Sequence, residues 1–166
     1  MPKLIKDKAI ADNSWLLMEA TDAPETVEVP ADAVIVPLNV WLARKQELAG
    51  RIATLGVWLN SDQFADQLGE EAQQLPLVAV NFPGFMDGRG FSTARLLRER
   101  YGFTGELRAV GSIIRDQLFF LQRCGFNSFD LPEGADLEAA LNSFSDFSET
   151  YQAAVDQPLP LFRRRA

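Results

Sequence analysis

"LVAVNFPGFMDGRGFSTARLL", residues 77–97, joins an apolar run, a glycine-rich elbow and the start of a helical run. Leu77 to Val80 are apolar without interruption and read, with Asn81 and Phe82, as a strand buried on both faces. Pro83, Gly84, Gly88 and Gly90 punctuate the elbow after this strand, with Asp87 and Arg89 set among the glycines. A helix is predicted around Ala94 to Arg100, capped by Ser92 or Thr93 and closed by Gly102. Strand, turn and helix in this order form a unit of parallel sheet, because parallel strands need a crossover between them.

The same rhythm extends to both sides. Upstream, "AVIVPL" and "IATLGVWLN" read as strands. "NVWLARKQELAG" reads as the helix between them. A further helix is predicted from Ser61 or Asp62 to Pro76, with Phe64, Leu68, Ala72 and Leu75 on one face. Downstream, "ELRAVG" and "FNSFDL" are strands, separated by the helix "IRDQLFFLQRC", which Gly125 stops. The last helix is predicted over Leu137 to Tyr151, on the apolar stripe Leu137, Ala140, Leu141, Phe144, Phe147 and Tyr151. Nearly continuous apolar strands imply helices on both sheet faces. The expected fold is α/β: a mostly parallel five-stranded sheet flanked by helices in a three-layer sandwich. A (β/α)₈ barrel typically takes about 250 residues, more than the 166 here.

One domain is expected over residues 1–166. Residues 1–30 read as an N-terminal β-hairpin and linker. Its strands are Leu4–Ile5 and Trp15–Glu19, the turn is Asp12-Asn13-Ser14, and Pro24 and Pro30 follow. Residues 31–152 form the α/β body, and residues 153–166 a tail rich in proline and arginine. That tail is either a solvated end or an extended segment that docks on an acidic partner through Leu161 and Phe162.

Composition limits the chemistry. The net charge of −7 argues against nucleic acid as a partner. No apolar run approaches the roughly 20 residues of a membrane span, and the first residues lack the pattern of a secretory signal. With one cysteine, Cys124, and no internal disulfide, a cytoplasmic location is expected. The chain has no histidine, which excludes Ser-His-Asp and Cys-His catalysis and the usual zinc sites. A single cysteine cannot supply four thiolates to an iron–sulfur cluster. Neither a metal nor a cofactor is expected. Cys124 and the three tryptophans read as packing residues.

Glycines in the elbow admit two readings. In one, backbone N–H groups from Gly88 to Ser92, the helix N-terminus and Arg89 hold a small anion, with Asp87 beside them and Gly90 at positive φ. In the other, the glycines only make the turn, and Arg89 pairs with Asp87 or a neighbouring helix. "GSIIRDQ", residues 111–117, is expected on the same sheet edge and adds Ser112, Arg115 and Asp116 as candidates. Asp87 or Asp116 would be the acid–base group if the site is catalytic. Gly88-Arg89-Gly90 begins a G-x-G-x-x-G pattern whose third glycine is missing, and the P-loop pattern is absent.

"NFPGFMDGRGFSTARLLRERYGFTGELRAVG", "RDQLFFLQRCGFNSFDL" and the terminal Arg163-Arg164-Arg165 together resemble a bacterial family of unknown function. Its members lie beside sulfite reductase genes and often carry the label "oxidoreductase probably involved in sulfite reduction". The resemblance covers nearly the whole chain. It implies a role in assimilatory sulfur metabolism, with sulfite reductase or another sulfur-assimilation protein as partner. The family supplies no catalytic residues to carry over. The chain cannot ligate the iron–sulfur cluster of a sulfite reductase, so an accessory or binding role is expected. A small enzyme acting on an anionic substrate and a non-catalytic scaffold remain the alternatives.

Overall fold

The computed structural model describes residues 2–84 and 88–144. Eight strands form one sheet in the order β2-β1-β8-β7-β6-β5-β4-β3. They are β1 (Lys3–Lys6), β2 (Ala9–Asp12), β3 (Leu16–Leu17), β4 (Val34–Pro37), β5 (Leu55–Leu59), β6 (Leu77–Phe82), β7 (Glu106–Gly111) and β8 (Ser128–Phe129). β3 to β8 are parallel neighbours in chain order, and β1 joins β8 and β2 antiparallel.

This order replaces the expected sandwich. Crossovers between sequential parallel strands are right-handed, and an unbroken order puts every one of them on the same face. The main core accordingly joins Val36, Val57, Val80 and Ala109 of the strands to Trp41, Leu97 and Leu121 of the helices. Ile35, Trp58, Leu77, Ala79 and Val110 alternate with those strand residues and form a second cluster on the opposite face, where Trp15 packs against them. No point of strand reversal exists in this sheet, so the crevice of an open doubly wound sheet has no counterpart here.

The sheet curls almost into a barrel. β2 lies at one edge and β3 at the other, yet only Asn13, Ser14 and Trp15 separate them. Four Cα steps of about 3.8 Å reach at most about 15 Å. A flat sheet with strands about 4.8 Å apart would hold its edges about 34 Å apart. β2 and β3 run in the same direction and behave as one bent strand. Asn13 N donates to Pro2 O (2.8 Å) beside β1, and Leu16 N donates to Ala33 O (3.0 Å) beside β4. Barrel closure takes less chain than expected because several connections are short. Residues 61–75 form two 3₁₀ segments, Ala65–Gln67 and Gly69–Gln74, instead of one α-helix. Gly69 opens the second of them at φ +58. Leu68, Ala72 and Leu75 still face the core, whereas Phe64 is exposed.

The N-terminal hairpin exists with different members. Its strands are β1 and β2, and its turn is Asp7-Lys8, both at positive φ (51 and 64). Two left-handed central residues match the twist of a two-residue hairpin, a geometry usually announced by glycine or asparagine. Leu16–Leu17, expected as the second hairpin strand, pairs parallel with β4 at the far edge.

The helices α1 (Leu38–Leu48), α2 (Arg89–Glu99), α3 (Leu118–Cys124) and α4 (Leu137–Ser143) lie outside the barrel. Gly125 ends α3 at φ +117, as its position after Cys124 implies. Asp136 caps α4, its carboxylate accepting from Ala139 N at 3.1 Å. The rest of the expected last helix, Phe147 and Tyr151 included, and the tail lie outside the described residues.

Candidate functional site at the C-terminal rim

The parallel strands deliver their C-terminal ends to one rim, the end of α/β barrels where sites are built. Register fixes what faces inward. Trp58, Ala79, Arg108 and Ser128 are successive partners across β5 to β8 and form one interior row. One step toward the rim, Asn81 pairs with Val110. Its side chain donates to Asn60 Oδ1 (3.0 Å), which also accepts from Ser61 N (3.0 Å).

At the elbow, α2 begins at Arg89 with Gly88 as its cap, several residues earlier than expected. Ser92 is therefore an exposed helical residue and not a cap, and Thr93 is buried, its hydroxyl 3.5 Å from Arg89 O. The glycines divide by role. A Cβ on Gly90 would lie 2.6 Å from two atoms of the Phe82 ring and 3.1 Å from Val80. Positive φ is absent at Gly90, so its small size serves close contact between α2 and β6 rather than a left-handed turn. Among the described residues an added Cβ at Gly88 would meet only the Phe91 ring, at 3.7 Å or more. Backbone N–H groups at a helix start are the donors an approaching anion uses.

Arg89 Nη2 donates to Ser61 Oγ (3.2 Å), and Ser61 is buried at 3% exposure. This contact ties the end of β5 to the start of α2. Ser112 borders the same elbow: its N–H donates to Phe82 O (2.7 Å) and its hydroxyl lies 3.4 Å from Pro83 O. Gly111, at φ +92, lets the chain pass over β6 there, since a Cβ would meet Phe82 O at 2.6 Å. Thus Gly88, Arg89, Gly90 and Ser112 come together with Ser61, Asn60 and Asn81. Arg115 and Asp116 occupy an exposed 3₁₀ turn, Arg115–Gln117. Arg115 lines a different cleft of about 440 Å³ with Ile114, Pro132 and Asp136, on the side of α4. Asp87 lies outside the described residues.

Sequence reasoning missed the charged half of the barrel interior. Arg108 is 3% exposed. It donates to Glu106 Oε2 through Nη2 (2.7 Å) and Nε (3.0 Å). It also donates to Ser128 Oγ (3.2 Å) and Asn13 Oδ1 (3.0 Å). Lys6 pairs with Glu106 Oε1 at 3.2 Å. Burial alone would push the Glu106 carboxyl up. The Arg108 guanidinium, with hydrogen bonds from Arg108, Ser128 and Lys6, outweighs it and holds the carboxyl below its ordinary value. Asp130, just past β8, shows the opposite balance. Burial pushes its carboxyl above the ordinary value, and Arg108 opposes this only in part. Asn13 Nδ2, at 3.5 Å, is its one side-chain partner among the described residues. The available signal was the alternation within "ELRAVG", where Glu106 and Arg108 share one face of a strand.

Among the described residues no cluster of three metal-ligating side chains exists, and no helix is long and apolar enough to cross a membrane. Cys124 is half-buried against the main core.

A family described as bacterial protein of unknown function (DUF934) matches residues 56–162. The match runs from β5 through α4 and includes the elbow, Ser112 and the Glu106–Arg108 pair. No curated protein and no solved structure matches the chain.

Proposed function

The chain belongs to the DUF934 family, and we propose that this member is an accessory protein of assimilatory sulfite reduction that holds a small oxyanion at the barrel rim. One observation carries the oxyanion reading: Arg89 and the buried Ser61 hydroxyl meet beside the first turn of α2. A guanidinium, a hydroxyl and backbone donors at a helix N-terminus are the groups that bind sulfite, sulfate or phosphate. The partner reading rests on the sequence resemblance, with sulfite reductase or another sulfur-assimilation protein as the protein contacted. Calorimetric titration with sulfite, sulfate and phosphate tests the site. Wild-type protein is expected to bind at least one of them at millimolar concentration or below, and Arg89→Ala is expected to abolish that binding. Capture of partners by the tagged chain from cells growing on sulfate as sole sulfur source tests the accessory role.

A second reading, a small enzyme acting on an anionic substrate, draws on Asp130. Its half-buried carboxyl at a strand end has a raised pKa, a property suited to proton transfer. Loss of any sulfite- or phosphate-dependent turnover in Asp130→Asn, with oxyanion binding kept, would favour that reading.

A further inference from the structure

At the end of the barrel opposite the rim, a cleft of about 420 Å³ opens between the β1–β2 turn, α2 and α3. Asp7 and Lys8 of the turn, Arg98, Gln122, Phe126 and Asn127 line it. Arg98 lies in the last turn of α2. It donates from Nε to Gly125 O (2.9 Å) and from Nη1 to Phe103 O (3.0 Å) and Gly105 O (2.9 Å). Its guanidinium also rests 5.2 Å from the Phe103 ring centre. All three acceptors are neutral. Among the described residues Arg98 makes no ion pair, and its Nη2 has no acceptor. Burial holds its pKa below the ordinary value, and Asp7 acts on it only at longer range. Gly125 makes this placement possible, since a Cβ there would lie 2.6 Å from Arg98 Cγ.

A desolvated cation bonded only to carbonyls is the condition that an anion relieves. Further donors converge on the same space. Asn127 turns its Oδ1 to Leu107 N (2.8 Å), which leaves its Nδ2 without an acceptor among the described residues. The Gln122 amide and Lys8 have no side-chain bonds among those residues. Against Arg98 and Lys8 stands one carboxylate, Asp7. Phe126 and Phe129, both buried, close the floor of the cleft. Two unpartnered donors lining one cleft suit the two oxygens of a carboxylate, and the Asp7 carboxylate beside them disfavours the second charge of a phosphate.

We infer that this cleft binds a small organic monocarboxylate, its carboxylate on Arg98 and Asn127. The site is separate from the rim and does not depend on the reading of the rim. The test is a ¹H–¹⁵N NMR titration of the full chain with benzoate as the probe. Benzamide and inorganic phosphate serve as comparisons, and the Lys8→Glu variant is titrated beside the wild type. Lys8 is exposed in a surface turn, so this variant keeps the fold even if changes at Arg98 do not. Benzoate is expected to shift the Arg98 Nε–H, the Asn127 side-chain amide and the Gly125 amide saturably. Benzamide and phosphate should each bind these groups about tenfold more weakly. Lys8→Glu should weaken benzoate by about threefold to tenfold at low salt, with an unchanged denaturant midpoint. The inference is overturned if no saturable shift occurs at millimolar benzoate, if benzamide or phosphate binds as well as benzoate, or if Lys8→Glu leaves the affinity unchanged.

Discussion

Gly90→Ala puts the close contact between α2 and β6 under direct test. The new Cβ would lie 2.6 Å from Cε1 and Cζ of Phe82. Carbon atoms prefer about 3.5 to 4.0 Å, so the ring would have to move by roughly 1 Å. The ring has little room, being 2% exposed and packed between Phe91 (5.6 Å between centres) and Phe126 (5.9 Å). Overpacking of this kind costs about 1–3 kcal/mol. Alanine returns at most about 1 kcal/mol of helix propensity, because Gly90 already has helical backbone. The expected net loss is about 1–2 kcal/mol, read from urea melts. Gly88→Ala is the control: with only the Phe91 ring nearby among the described residues, at 3.7 Å, it should change stability by no more than about 0.5 kcal/mol. Phe82→Leu removes the opposing ring atoms, so Gly90→Ala should cost much less in that background than in the wild type. Wild-type stability in Gly90→Ala, or an equal loss with and without Phe82, would show that the packing argument is wrong.

Arg108→Met should destabilise by about 3 kcal/mol in a chemical melt, because it strands the buried Glu106 carboxylate with Lys6 and Ser128 alone. Glu106 has a lowered pKa, so its stabilisation is complete above the ordinary value of 4.5 and is lost as pH falls through the lower folded value. Melts of Glu106→Gln against wild type should therefore converge as pH drops below 4.5. Asp130 has the reverse sign: its folded pKa is raised above 3.8, so stability falls as pH rises through that window. Asp130→Asn should be more stable than wild type at neutral pH and equal to it below pH 3.8. Replacing Asp7-Lys8 with Asn-Gly should raise stability by about 0.5–1 kcal/mol, since both positions hold positive φ. A thermal or urea melt checks it.

The parts of this fold that could be read in advance are those with local causes. The apolar runs of β4 to β8, the stop at Gly125 and the strand–elbow–helix unit all follow from residues close in sequence. Closure of the sheet does not. It depends on β2 and β3 acting as one bent strand between two distant edges, a contact no local pattern encodes. The Asp7-Lys8 turn lacked a glycine to announce it, so the polar run Asp12-Asn13-Ser14 was the more visible turn signal. Between Ser61 and Pro76 the spacing of Leu68, Ala72 and Leu75 marks burial, but Gly69 at positive φ divides the stretch and tight 3₁₀ turns satisfy the same spacing. At the elbow the glycines were visible, but their division of labour depends on Phe82 lying beneath Gly90. Glu106 and Arg108 were hidden because a strand buried on both sides was expected to be apolar throughout. In a curled sheet the inner face can instead bury a charged pair, provided its hydrogen bonds are met there.

An oxyanion held at the rim can be located in the crystal. Crystals of the full chain grown without sulfate and then soaked in millimolar selenate allow its position to be read from anomalous scattering. A selenium peak is expected within hydrogen-bond reach of Arg89, Ser61 and the first N–H groups of α2, with no such peak in Arg89→Ala crystals. Selenate bound elsewhere with the rim empty, or bound equally well without Arg89, would rule out an oxyanion site at the rim.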